Sequence, residues 1–177
     1  RDAQESRGLG DVYKRQVVDT QNFMTKTGVR TFEAAAFLRR NGADVTRVRK
    51  LFRENAAEYK AKADAVSQAE IYRNAYAISI CHSEGIASPT VVGAQAANEL
   101  LDIRGVKASF VLTEYQNKLF FSARSIDEVN VQVIMERMGG GGHLNIAGCQ
   151  LENTSVEEGI IVLKRTLDKM IEEGEIS

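Results

Sequence analysis

The chain has 177 residues, 44% of them hydrophobic and 27% charged, with a formal net charge of −1. That fits one domain, or one domain with a piece of another, built round a packed core. The near-zero charge excludes a global electrostatic pull toward a long nucleic acid or an anionic membrane, and no apolar run approaches the roughly 20 residues that span a bilayer.

Residues 1–16, RDAQESRGLGDVYKRQ, show no apolar period and no signal-peptide core. DVYKRQ can be encoded by GATGTGTATAAGAGACAG, which resembles the transposon-end adapter of sequencing libraries. These residues are therefore expected to be a translated adapter rather than native sequence, with a natural disordered tail as the alternative. Residues 17–23, VVDTQNF, read as a short apolar strand running into Asp19, Thr20 and Asn22, which favour turns and ligand contacts. After Gly28, Thr31 is the expected cap of a helix over FEAAAFLRR, stopped by Asn41-Gly42. From Asp44 or Thr46 one longer helix is expected. Val45, Val48, Leu51, Phe52, Ala56, Tyr59 and Ala63 recur at three- and four-residue steps, opposite a solvated face of Arg, Lys and Glu.

Beyond Gln68 the period changes. EIYRN and AYAISIC read as strands joined by a tight turn, and SEGIASP as a loop holding the only proline, Pro89. An Ala-rich helix over TVVGAQAANELLDI ends before Gly105. VKASFVLTEY and KLFFSARS form a predicted hairpin across Gln116-Asn117. VNVQVIMERM is a short amphipathic helix, NIAGCQLE a strand, and residues 155–174 a closing helix with Ser155 and Glu158 at capping-box spacing. The order β-β-α-β-β-α-β-α predicts an α/β fold, a mixed β-sheet flanked by helices. Cys81 and Cys149 show neither zinc spacing nor a secreted disulfide framework and read as buried small hydrophobes.

The stretch MGGGGHLNIAG, residues 138–148, sets four glycines before His143, in a chain with two histidines. Glycine costs on the order of 1 kcal/mol against alanine in regular structure, and a turn needs one or two. The excess points to a backbone that meets a ligand at Gly140, Gly141 and Gly142, with His143 as directional donor and phosphate as the natural guest. The alternative is a flexible hairpin with a surface histidine. No Lys-Ser/Thr follows, so this is not a P-loop. Ser122 and Arg124, two apart on a strand, point to one face, which suits a phosphate or sugar hydroxyl, or is a plain solvated face. Asn130 either caps its helix or lines the same site. Asp19 is a metal ligand or a turn residue, and Arg30 a phosphate contact or a surface cation.

These residues carry a resemblance. SARS…VNVQVIM…GGGGHLNIAG resembles the DHH-associated C-terminal domain of the DHH phosphoesterase superfamily. VVDTQNFMTKTGVRTFEAAAFLRRNGADV resembles the last motif of the catalytic DHH domain that precedes it. Within the superfamily, DTQNF and TGVRTFEAA are most similar to the cyclic-di-AMP phosphodiesterases that carry membrane, PAS and degenerate GGDEF segments upstream. The resemblance implies a remnant of the DHH domain at 17–43, a linker helix at 44–68 and a substrate-binding domain at 69–177. It implies that Asp19 is the final aspartate ligand of a Mn²⁺ pair. Gly140, Gly141, Gly142 and His143 would form the substrate-gripping loop, Ser122 and Arg124 the strand that contacts the nucleotide, with Asn130 in the same cleft and Arg30 on a phosphate. The implied activity is hydrolysis of cyclic-di-AMP to pApA by a metal-activated water.

The Asp-His-His triplet and the earlier His and Asp ligands are absent from the chain. One aspartate cannot hold two metal ions, so this fragment alone is expected to be inactive. The intact protein is expected to be a homodimer, attached to a membrane through upstream helices only, with this part cytoplasmic. The alternatives are an oligoribonuclease or pAp phosphatase of the same superfamily, or a non-catalytic nucleic-acid-binding module.

Overall fold

The computed structural model describes residues 2–20, 22–23 and 27–176, with side chains from Gly8 onward. The chain divides into two compact units, Arg1–Glu54 and Asn55–Ser177.

The first unit is helical: α1 (Asp2–Asp19), α2 (Val29–Arg40) and α3 (Val45–Leu51). The strand expected at 17–23 does not form, because α1 continues to Asp19. Leu9, Tyr13, Val17 and Thr20 lie on its less exposed side, a three-to-four-residue step that the β-branched pair Val17-Val18 obscures. Thr20 Oγ1 donates to Gln16 O at 2.7 Å and accepts the Phe23 N–H at 3.0 Å, closing the helix end. Gln21 and residues 24–26, within the DTQNFMTKTG motif, lie outside the described residues. Helix α2 begins before the expected cap: Gly28 is the N-cap, and Thr31 Oγ1, three residues on, accepts its N–H at 3.2 Å. Asn41 ends the helix and Gly42 has φ +99°. Asp44 caps α3 by accepting the Arg47 N–H.

The single helix expected over 44–68 is two. Helix α3 stops at Leu51, and Asn55 Oδ1 accepts the Glu58 N–H at 2.8 Å to start α4 (Ala56–Ser67). A second capping side chain inside the periodic run redirects the chain, and the boundary between the units falls there.

The second unit continues with β1 (Glu70–Tyr72), β2 (Tyr76–Cys81), α5 (Pro89–Leu100), β3 (Ala108–Tyr115), β4 (Lys118–Ser125), α6 (Val131–Arg137), β5 (Gly141–His143), β6 (Ile146–Glu152) and α7 (Val156–Glu172). The sheet order is β1-β2-β3-β4-β6-β5. β2 and β3 are parallel across the α5 crossover and every other pair is antiparallel, which makes the sheet mixed. Both predicted tight turns have positive φ at their central residues, Arg73-Asn74 and Gln116-Asn117, the geometry that matches strand twist.

One sheet face buries Tyr76, Ile78, Phe110, Leu112, Leu119 and Phe121 against Ile134 and Met135 of α6 and Leu163, Leu167 and Met170 of α7. On the other face Ala77, Cys81 and Val111 pack with Ala65 of α4 and Val92, Ala96 and Leu100 of α5. That second core holds no residue of β4, β5 or β6. The outer half of this face is therefore left without a share in it.

Candidate functional site

The site lies on that outer half. Along β4, Leu119, Phe121, Ala123 and Ser125 are buried, while Lys118, Phe120, Ser122 and Arg124 alternate with them and are half-buried. Register extends the alternation across three strands. Arg124 pairs with Ile146 of β6, and Ile146 with His143 of β5. In the next row Ser122 pairs with Gly148, and Gly148 with Gly141. Residues opposite one another in a ladder share a face. Ser122, Arg124, Gly141 and His143 thus stand on one side of the sheet, as the strand-face argument expected for the first two. Arg124 and His143 are two strand spacings apart, about 9–10 Å at the backbone, with Ile146 between them and 44% exposed.

Arg124 is held in an unusual state for a guanidinium. Its Nη1 donates to Ala123 O at 2.8 Å and reaches Ala147 O at 3.5 Å. Nε is buried and has no hydrogen-bond partner among the described residues. Burial lowers the guanidinium pKa from its ordinary value. A buried, unpaired donor costs on the order of 1–3 kcal/mol. An anion above the row would offset both the missing bond and the desolvated charge. His143 is exposed at the sheet edge and complements Arg124 from the other side.

The glycine run is not the open loop that its composition suggests, since Gly141–His143 is an edge strand. Gly139 has φ +84° and closes α6. A Cβ on Gly140 would overlap Gly148 O and Cys149. One on Gly142, at φ +150°, would stand 2.5 Å from Ala147 Cα and Ile146 O. Gly148 is similarly constrained by Phe121 O at 2.7 Å. At Gly141 a Cβ would meet nothing within 4 Å. Tight chain packing therefore accounts for Gly140 and Gly142, and Gly141 alone is free of any demand of the fold.

Asn130 is the N-cap of α6, and its Oδ1 accepts the Gln132 N–H at 3.1 Å. The cap alternative is the arrangement present. Asp19, the last residue of α1, is exposed and 3.7 Å from Arg15. It does not follow a strand. Arg30 is exposed in the first turn of α2. Among the described residues, no group of three or more His, Cys, Asp or Glu side chains gathers to hold a metal ion. The donors among the described residues thus do not by themselves make up a two-manganese centre. Both cysteines are free and buried, and burial pushes the Cys149 thiol up to about 12, so it is no nucleophile near neutrality. Among the described residues, no helix is long and apolar enough to cross a membrane.

Two residues were not singled out by the sequence. Asn145, in the turn between β5 and β6, donates from Nδ2 to Asp127 Oδ1 at 2.6 Å and accepts the Asp127 N–H at 3.3 Å. An Asn before a strand signals a turn, but nothing in the sequence signals its pairing with a residue eighteen positions earlier.

The DHHA1 domain family model matches residues 74–173. The cyclic-di-AMP phosphodiesterase PdeA of Listeria monocytogenes serotype 1/2a (strain 10403S) is 46% identical over 143 residues, 80% of this chain and 22% of that protein. The cyclic-di-AMP phosphodiesterase GdpP of Bacillus subtilis (strain 168) is 41% identical over 160 residues, 89% of this chain and 24% of that protein. The chain thus spans about a quarter of the length of these curated relatives. An exopolyphosphatase-related protein from Bacteroides fragilis shares the fold, with a TM-score of 0.81 at 21% identity over 93% of this chain and 51% of that one.

Proposed function

The chain belongs to the DHHA1 domain family, and from that premise we propose that its second unit holds the substrate for a DHH-type phosphodiesterase that opens cyclic-di-AMP to linear pApA. The observation that carries the reading is the row Arg124–Ile146–His143, in which a guanidinium with an unpaired buried Nε and an imidazole share one sheet face. Sequence likeness to cyclic-di-AMP phosphodiesterases supports the choice of substrate.

In this reading Arg124 and His143 grip the phosphate that is not cleaved, one from each side. The Ser122 hydroxyl, one row along, takes a neighbouring oxygen or sugar hydroxyl. The bare backbone at Gly141 lets the ligand approach the sheet. Holding one phosphate fixed orients the ring and positions the other phosphodiester. Because the donors among the described residues do not by themselves make up a metal-pair site, no step of bond cleavage rests on these residues. They bind and orient. The metal pair, the dimer and any membrane attachment are proposed for a longer protein, and the present chain is expected to turn over no cyclic-di-AMP when supplied with manganese.

Isothermal calorimetry tests the reading. The chain should bind cyclic-di-AMP in preference to pAp, and Arg124→Ala should weaken binding tenfold or more, as expected for loss of about 1.5–3 kcal/mol of charge-assisted hydrogen bonding, with the melting temperature nearly unchanged. Absence of cyclic-di-AMP binding by the wild-type chain, or undiminished affinity in Arg124→Ala, would overturn it. A preference for pAp or short linear oligonucleotides would move the assignment to those substrates.

A further inference from the structure

We propose that Asn145 is a positioning residue for His143: with Asp127 it forms a clasp that fixes the β5–β6 hairpin in the geometry that brings the imidazole level with Arg124. The proposal rests on the reading of Arg124 and His143 as a phosphate grip.

Strand β5 is poorly equipped to hold itself. It is three residues long, two of them glycine, and it pairs only with β6. Glycine has the most conformational freedom to lose, and short edge strands fray. A histidine on such a strand is fixed only as well as the turn that follows it. That turn, Leu144-Asn145, is tied down by several hydrogen bonds, among them longer ones of 3.4 Å from the Ser125 hydroxyl to Leu144 O and to Asn145 Oδ1. Leu144 O accepts the Val131 N–H at 3.0 Å, which secures it to the start of α6. Asn145 O accepts the Ser125 N–H at 3.1 Å at the end of β4. The carboxamide adds two bonds to one residue, Nδ2 to the Asp127 carboxylate and Oδ1 from the Asp127 N–H.

Asp127 is itself prepared for this. It has φ +56°, a left-handed conformation that Asp tolerates better than most residues. Its neighbour Ser125 donates from Oγ to Val129 O at 2.6 Å, bracing the same loop. The two backbone bonds locate the turn. The carboxamide adds a charge-assisted bond that resists its rotation away from the sheet. Arg124 and Asn145 are thereby joined through a single residue, because Ser125 follows Arg124 directly. The clasp sets the two halves of the grip against a common support.

The test uses the whole chain and two readouts. In the ligand-free protein, ¹⁵N relaxation should show Gly142 and His143 ordered, with order parameters near the rigid value of ~0.85, falling toward ~0.6 in Asn145→Ala. Calorimetry with cyclic-di-AMP should show about tenfold weaker binding for Asn145→Ala in the wild-type background and less than a twofold further loss in a His143→Ala background. A merely structural role would not erase the effect in that second background. Asn145→Asp should fail in the same way, because it sets two carboxylates together. The double variant Asp127→Asn/Asn145→Asp restores one donor and one acceptor and should recover both order and affinity. Unchanged order in Asn145→Ala, or no recovery in the exchanged pair, would overturn the proposal. If the wild-type chain ignores cyclic-di-AMP, the phosphate-grip reading fails while the relaxation data still decide the role of Asn145.

Discussion

The four glycines of residues 139–142 answer to three different physical demands, and substitution should separate them. Gly140 and Gly142 face backbone or β-carbon atoms of β6 that cannot move without disturbing the sheet. Gly140→Ala and Gly142→Ala should each destabilise the chain by roughly 1–3 kcal/mol, the usual cost of overpacking, with a matching drop in melting temperature. Gly141 has open space above it and no positive φ. Gly141→Ala should leave the melting temperature within about a degree while weakening cyclic-di-AMP binding, since the methyl would occupy ligand space in the row that Gly141 shares with Gly148 and Ser122. Equal stability losses at all three positions would show that the run serves packing alone. The sequence made this site half legible. Two-residue spacing on a strand was enough to put Ser122 and Arg124 together. It could not place His143, whose face depends on the register of β5 against β6, and it credited Gly140 and Gly142 to a ligand along with Gly141 because a close approach between strands leaves no mark in one dimension.

At the level of elements, helices α6 and α7 cover one sheet face, while α4 and α5 cover only the inner half of the other and leave its outer half to the proposed grip, and α7 tests that division. Gly159 of α7 lies over the side chains of Leu119, Phe121 and Leu112, and a Cβ there would overlap Leu119 Cδ2 and stand 3.1 Å from Phe121 Cζ. Those neighbours are buried in the main core and cannot withdraw freely. Gly159→Ala should therefore lower stability by about 1–3 kcal/mol in a denaturant titration while leaving cyclic-di-AMP affinity unchanged, because α7 covers the face opposite Arg124. A variant that lost affinity in proportion to stability would contradict the separation. The hairpins and the Ser155–Glu158 capping box were legible, since each rests on local chemistry: paired left-handed turn residues and reciprocal capping bonds. The Ala-rich helix was legible too, but Pro89, expected in the loop before it, is its first residue, and the helix ends at Leu100. The misses share one cause. Strand β5 has no β-branched residue to announce it. The break at residues 52–55 hides in a periodic run that is broken by one capping asparagine. Strand-like Val17-Val18 belongs to a helix whose period is set by residues before it. In each case the neighbouring chain overrode local propensity.

The molecule as a whole distributes its apolar surface unevenly. In the second unit, large side chains such as Tyr76, Phe110 and Leu112 are fully covered. In the first, the buried hydrophobic residues among those described are Leu38, Ala43 and Val48, while Val29, Phe32 and Phe37 are 77%, 53% and 57% exposed. Cooperative stability should therefore reside in residues 55–177, and so should the phosphate grip, all of whose proposed members lie there. Charge at this scale points the same way as the site. With a net charge of −1, binding must come from a few local donors rather than from a basic field. A module that tracked a polynucleotide through 6–10 phosphates would lose on the order of 10³–10⁵ in affinity between 50 and 200 mM salt. For residues 55–177 produced alone, cyclic-di-AMP affinity should match that of the whole chain within about twofold and fall by only a factor of a few over the same salt range. Polymer-like salt dependence would transfer the function to nucleic-acid binding. Affinity lost on removing residues 1–54 would mean that the row on β4, β6 and β5 is only part of the receptacle.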